Sequence, residues 1–587
     1  MSKGNSVRSG RKGGDVSKIP RRTVFLSALS AIAGIAAAGP AAAATCESLA
    51  ALTLPHATVT AAQSITSGSF TPPGATAALT ALPPFCRVAV TSTPTTDSHI
   101  NLEVWIPLGG QWNGKYEQLG CGGFCGSISY SGLAQAVGRG YASAATDDGS
   151  QAGGLGTFAL GHPEKIVDFG YRALKETTDK AKAIVAALGG KGPSRSYFNG
   201  CSDGGREALQ EAQRYPDDFD GIIVGSPANA WTHLFAGFIY NEQSLLDDPA
   251  SYIPSSLLPV LSKAAIAQCV KQDGGVATDN FLNDPRDCKF DPGSVQCKAG
   301  QDPSTCLSPA QVKAARAIYS GPHDPRTGRL IFPGYEPGSE ANAANWPAWI
   351  IGASRAGDLA GTLAAGQALQ QFFGNGFYAD FVFQNANFDF RTFNFTTDLA
   401  FADNGVGRIV NSINPDLRPF RAHGGKMIHY VGWADSAIAP MNSVNYYEEV
   451  RQVLGGGRAG DDEDGGGSYR RIQKFYRLFM VPGMAHCGGG DGPNAFGNGA
   501  NAPVVDADHD LLMALDQWVE HGVAPQKIIA THYINNSPAS GVQFQRPLCP
   551  FPQVSWYRGG DTSSASSFVC VNDEADRDPR DQDVDRD

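Results

Sequence analysis

Several broad classes are excluded by what this sequence lacks. After residue 44 no apolar stretch is long enough to cross a bilayer, so only the N-terminus could engage a membrane. No Cys-x-x-Cys pair occurs, and histidines and acids do not cluster at metal-ligand spacing. Both absences disfavour a zinc protein or a metal-dependent hydrolase. Basic residues are in the minority, 46 Lys and Arg against 57 Asp and Glu, which argues against nucleic acid as the main partner. No internal repeat is evident, so a repeat array is not expected. With 42% hydrophobic and 18% charged residues the chain is too apolar for general disorder. Its 587 residues exceed one simple core and predict one large or two domains.

What is present begins with an export signal over residues 1–44. Arg21 and Arg22 precede the uncharged run from Val24 to Ala38, and Ala42, Ala43 and Ala44 offer small residues for cleavage before Thr45. The paired arginines suggest twin-arginine export, with Sec export the rival. After cleavage no membrane association is expected, and the mature protein is secreted or periplasmic. All 12 cysteines fall after the cut, and an even count in an exported chain predicts disulfides. Spacing suggests Cys46 with Cys86, Cys121 with Cys125, Cys269 with Cys288, Cys297 with Cys306, and Cys549 with Cys570. Cys201 and Cys487 are left over.

Strand-like alternation over Ile100 to Ile106 leads to a glycine-rich turn from Gly120 to Gly126. Residues 164–187 read as a helix ended by Gly189 and Gly190. Ser196 to Phe198 reads as a short buried strand, Arg206 to Tyr215 as a helix, and Ile222 to Val224 as another buried strand. This alternation with long crossovers marks a mostly parallel sheet. The pattern breaks near Trp231, and residues 232–416 read as an inserted second domain. It resumes at Lys426 to Val431, at Lys474 to Val481, and in a late helix over 506–520. Residues 455–467 read as a solvated acidic loop and 573–587 as a disordered acidic tail.

Gly200-Cys201-Ser202-Asp203-Gly204 matches the nucleophile elbow, Gly-x-Ser-x-Gly, between a strand and a helix. The sharp turn needs residues without bulk beside the serine, and the helix that follows can aim the Asp203 amide at an oxyanion. The rival reading is an ordinary glycine-rich turn with a solvent-facing serine. An acid and a histidine should follow in that order, each just past a strand. Asp435 lies past the strand ending at Val431, and His486 past the strand ending at Val481. The imidazole would take and return the serine proton while the carboxylate orients it. Cys201 then adjoins the serine and Cys487 adjoins the histidine. They are either a disulfide clamping nucleophile to base or two buried free thiols.

Gly-Cys-Ser-Asp-Gly-Gly followed far downstream by His-Cys resembles the tannase and feruloyl esterase family. The resemblance extends to Tyr215 through Ile223 and Gly432 through Ile438, and covers roughly Cys46 to Cys570. It implies an α/β-hydrolase core, a mostly parallel sheet with helices on both faces, with an inserted lid domain. The catalytic part would be 45–231 and 417–572, and the lid 232–416. It implies a disulfide joining Cys201 to Cys487, and a second oxyanion amide at Gly123, with Gly122 next to it. It also implies a structural calcium in a lid loop of three aspartates. Here that loop keeps Asp273 and Asp279, has Val270 in place of the first aspartate, and is two residues longer. No organic cofactor is implied. The expected partner is a small aromatic ester of a phenolic acid, galloyl or feruloyl. A synthetic ester such as mono(2-hydroxyethyl) terephthalate is the alternative within the family, and a catalytically silent binding protein is the rival outside it. Trp346, Trp349, Phe388, Phe390, Phe393 and Phe395 are candidates to face the acyl group, with only one or two expected to touch it.

Overall fold

A computed structural model describes residues 44–352, 366–455, 466–499 and 502–572. The expected signal segment up to residue 43, most of the acidic loop and the acidic tail lie outside these. From Ala44 onward the chain forms one compact unit. Among the described residues no helix is long and apolar enough to cross a membrane.

Nine strands make the main sheet: β1 (Ala57–Ile65), β2 (Phe85–Ser92), β3 (Ile100–Pro107), β4 (Lys115–Leu119), β5 (Ala142–Thr146), β6 (Arg195–Cys201), β7 (Gly221–Gly225), β8 (Lys426–Gly432) and β9 (Tyr476–Val481). Their order across the sheet is β1-β2-β3-β5-β4-β6-β7-β8-β9. The pairs among β1, β2, β3 and β5 are antiparallel. From β5 through β4 to β9 every pair is parallel. The parallel strands are near-continuous apolar runs because helices cover both faces. Tyr197, Ile223, Ile428 and Phe479 pack in one cluster with Leu511, Leu515 and Trp518 of a late helix. Phe198, Ile222, Val224 and Met427 pack in another with Leu174, Ala181 and Val185.

The helix expected over 164–187 is α1 (Pro163–Val167) running through a π turn into α2 (Ala173–Gly189). Gly190 ends it at φ 70°, a left-handed cap that glycine adopts without steric cost. The helix after the elbow, α3, spans Asp203–Arg214 and so begins three residues earlier than its polar pattern suggests. The late helix spans Leu511–His521 and starts five residues after its expected position. The Asp510 side chain accepts from the Leu512 and Met513 amides and so marks that start.

Between β7 and β8 the chain leaves the sheet for a largely helical segment. It opens with α4 (Trp231–Leu246), which packs against α5 (Leu369–Gly376). Phe235, Phe377 and Phe381 of this segment share one apolar cluster with Phe124, Phe158 and Phe169 from the loops and turns around the sheet. That shared core is why the contacts do not divide the chain at Trp231. Two antiparallel pairs close the C-terminal part, Ile528–Tyr533 with Val542–Leu548 and Val554–Tyr557 with Phe568–Val571.

Candidate active site

Ser202 stands at the turn between β6 and α3 with φ 67° and ψ −120°, a backbone conformation that costs a non-glycine residue energy. The crowding around it explains its neighbours. A Cβ on Gly200 would sit 2.3 Å from the Gly204 carbonyl oxygen, and one on Gly205 would sit 2.3 Å from that of Gly225. The turn is tied to the sheet by the Ser202 amide, which donates to the Gly225 carbonyl at 3.0 Å.

The residues singled out in the sequence meet here. His486 Nε2 lies 2.8 Å from Ser202 Oγ, and His486 Nδ1 lies 2.9 Å from Asp435 Oδ2. The other Asp435 oxygen accepts the Ala437 and Ile438 amides, both at 2.9 Å, so the buried carboxylate is aimed at the imidazole. Trp349 meets the His486 ring edge to face at 5.1 Å. Cys201 and Cys487 are bonded with their Cα atoms 6.0 Å apart, and the other five disulfides are the pairs that spacing suggests.

Beside the serine, Asp203 is the first residue of α3, so its N–H has no acceptor inside the helix. Gly122 and Gly123 face the same cavity across from it. Hydrogen bonds tie this glycine loop to the strand and helix beside it. Gly120 N–H donates to Asn199 O at 2.9 Å, Gly204 N–H to Cys121 O at 2.8 Å, and Cys121 N–H to Glu207 Oε2 at 3.0 Å. Glu207 was not legible as a site residue, because nothing in its local sequence marks an acid that reaches a distant loop. Burial, and then the Asp203 charge, push its carboxyl up to about 7. Asp148 beside it is pushed well up by burial and by Glu207. The Asp203 side chain turns away from the cavity into a buried ion pair with Arg206, whose guanidinium also donates to Phe169 O and Gly170 O.

The cavity encloses about 310 Å³. One wall is a single face of α4, Trp231, Leu234, Phe235 and Phe238, at the i, i+3, i+4, i+7 spacing of a helix stripe. Ala228, Trp349, Phe373, Ile438 and the Cys201–Cys487 disulfide also line it. Of the six aromatic candidates from the sequence, only Trp349 is in this wall. Trp346 is fully buried against Tyr319, Phe393 packs on Tyr378, Phe388 on Phe383, and Phe395 on Tyr240. Phe390 is core.

The residues of the expected calcium loop do not fit a calcium ion. Asp273 uses one carboxylate oxygen to accept the Gly275 amide and the other to accept the Asn283 amide. Asp279 lies against the Arg546 guanidinium at 3.4 Å. A cation there would displace a cation already present and gain only two carboxylates. Among the described residues, the one grouping of three or more donors is Cys121, Cys125, Asp148, Asp203 and Glu207. Its sulfurs are in a disulfide and its Asp203 holds Arg206.

The family model described as tannase and feruloyl esterase matches residues 86–571. The chain belongs to this family. Its members' carboxylesterase activity is therefore the chain's class of chemistry. An uncharacterized esterase of Xanthomonas campestris is 42% identical over 563 residues, covering 94% of this chain and 95% of the relative. A probable feruloyl esterase B-2 of Aspergillus terreus is 31% identical, covering 83% and 86%. The crystal structure of feruloyl esterase B from Aspergillus oryzae superposes with a TM-score of 0.79 at 29% identity, covering 90% of this chain and 99% of that one. Tannin acyl hydrolase from Aspergillus niger, at 24% identity and a TM-score of 0.69, covering 88% and 92%, shares the fold. The family's α/β-hydrolase architecture is the one described above.

Proposed function

We propose that this family member is an exported serine esterase that cleaves esters of phenolic acids, feruloyl or galloyl, through an acyl-enzyme on Ser202. The observation that carries the reading is the hydrogen-bonded series Ser202–His486–Asp435 at the floor of an apolar cavity. His486 Nε2 accepts the Ser202 proton as Oγ attacks the ester carbonyl, then returns it to the departing alcohol. Asp435 accepts from Nδ1 and stabilises the imidazolium. The Asp203 and Gly123 amides, with Gly122 adjacent, hold the oxyanion. Water, activated by the same imidazole, then releases the acid and restores the serine. Residues 232–416 act as the lid that supplies α4 to the cavity, and 45–231 with 417–572 as the catalytic part. Six disulfides fit an oxidising compartment, secreted or periplasmic, reached through the 1–44 signal.

Labelling with a fluorophosphonate probe tests the reading. The wild type is expected to be labelled and to hydrolyse methyl ferulate. Ser202→Ala is expected to lose both, with kcat reduced about 10⁴-fold or more. A folded wild type that is neither labelled nor active would instead be a silent binding protein.

A further inference from the structure

The cavity before Ser202 offers a substrate almost nothing polar. Apart from Ser202, Asp203 and His486, no described residue in its wall carries a hydrogen-bonding side-chain group other than the indoles of Trp231 and Trp349. Gln370, three residues before Phe373 of the wall, is engaged behind it. Gln370 donates to Tyr335 Oη at 2.7 Å and to Ser436 O at 2.9 Å, and accepts from Asn241 Nδ2 at 2.8 Å. Tyr335 in turn donates to Ala437 O. These groups form a closed buried layer, and recruiting one to a ligand would leave its present partner unpaired.

We propose that the cavity selects aryl acyl groups poor in free hydroxyls, cinnamoyl and O-methylated cinnamoyl esters, over polyhydroxylated galloyl or caffeoyl groups and over a terephthaloyl group with its free carboxylate. This rests on the Ser202 acyl-enzyme reading. A ring hydroxyl entering the cavity gives up its water and meets Leu234, Phe235, Phe238, Phe373 or Ile438, none of which can pair with it. O-methylation removes the donor and adds apolar area that these residues can cover. An apolar wall rejects one added hydroxyl by at most about a hundredfold, so a stepwise loss of about tenfold per hydroxyl is expected. The negative charge of terephthalate would meet no described Arg or Lys in the wall. The chemistry is unchanged: the ester C–O bond breaks as the Ser202 Oγ–acyl bond forms, and water later replaces the serine.

A matched series of methyl esters tests this on the wild-type chain: cinnamate, 4-hydroxycinnamate, caffeate and ferulate, with mono(2-hydroxyethyl) terephthalate alongside. kcat/KM is expected to fall about tenfold from cinnamate to 4-hydroxycinnamate and about tenfold again to caffeate. Ferulate, in which one caffeate hydroxyl is methylated, is expected to recover most of the second loss, and the terephthalate ester to be the poorest. Caffeate or the terephthalate ester turned over as well as cinnamate, by an enzyme that still takes a fluorophosphonate label, would overturn the selectivity and leave the acyl-enzyme reading standing. Neither labelling nor hydrolysis of any ester would overturn both.

Discussion

Glu207 ties the helix after the elbow to the glycine loop across the site. Its carboxylate accepts the Cys121 amide, while the Gly204 amide donates back to Cys121 O, so α3 and the glycine loop are pinned at both the N–H and the C=O of one residue. The Asp203 amide belongs to the pinned helix and the Gly123 amide to the pinned loop. On the proposed mechanism, in which these two amides hold the oxyanion, Glu207 helps to set their spacing and is a positioning residue. Glu207→Ala is expected to lower kcat about 10- to 100-fold with KM little changed, because the loss falls on transition-state contacts. Glu207→Gln keeps an oxygen to accept the amide and is expected to recover most of the rate. Steady-state kinetics on methyl ferulate distinguish the two, and equal damage from both substitutions would argue against the positioning role.

At the scale of elements, β6, the elbow and α3 carry Ser202, and the loop after β9 carries His486. Nothing in the sheet hydrogen bonds those two segments directly, since β7 and β8 lie between β6 and β9. The Cys201–Cys487 bond crosses that gap beside Ser202 and His486. It closes a loop of 286 residues, for which chain entropy gives a stabilisation of about 5–6 kcal/mol. The double variant Cys201→Ala/Cys487→Ala is therefore expected to melt at a lower temperature by calorimetry. Its kcat is expected to fall at least about tenfold even at temperatures where circular dichroism shows it folded, because the serine and imidazole lose their mutual alignment. A normal kcat in the folded double variant would mean that the sheet alone aligns them.

Across the whole molecule, buried titratable groups give stability two opposing dependences on pH. His429, in the middle of β8, is fully buried between Tyr476 Oη at 2.7 Å and Ser443 Oγ at 3.0 Å, and burial lowers its pKa to about 3. The unfolded chain takes up that proton near pH 6.5 and the folded chain does not. Its stabilising contribution is complete above 6.5 and is lost as pH falls toward 3, by about 1.4 kcal/mol per pH unit. Glu207, Asp273 and Glu336 have the opposite sign. Burial raises each to about 7, so the folded chain holds protons the unfolded chain has released, and each costs stability as pH rises from the ordinary carboxylate range to 7. Removing His429 should remove its share of the first dependence. His429→Gln, which can still bond both hydroxyls, is expected to melt below wild type at pH 7, with the gap closing or reversing by pH 4. Melting temperatures across pH 4–7 check it, and a gap that stays constant would place the acid sensitivity elsewhere.

The sequence alone was enough for those parts of the protein whose cause is local. The elbow is legible because its geometry admits only glycine at Gly200 and Gly204, where a Cβ would meet backbone oxygen. Asp435 and His486 are legible because each follows an apolar strand in the chain order this chemistry uses. Five cysteine pairs are legible because each closes a short loop. Tertiary structure alone decided which aromatics face the cavity. Trp231, Phe235 and Phe238 look like any buried helix stripe until α4 is laid against the elbow, whereas Phe388 and Phe393 have the same chemistry and turn into the core. It also decided the fate of the aspartate loop, since Arg546, which engages Asp279, comes from the C-terminal part of the chain, and the Asn283 amide meets Asp273 only once the loop between Cys269 and Cys288 is folded. Covalent neighbours constrain dihedral angles and spacing, but a side chain's non-bonded partners depend on how distant segments pack, and that packing gives this cavity its carbon-lined wall.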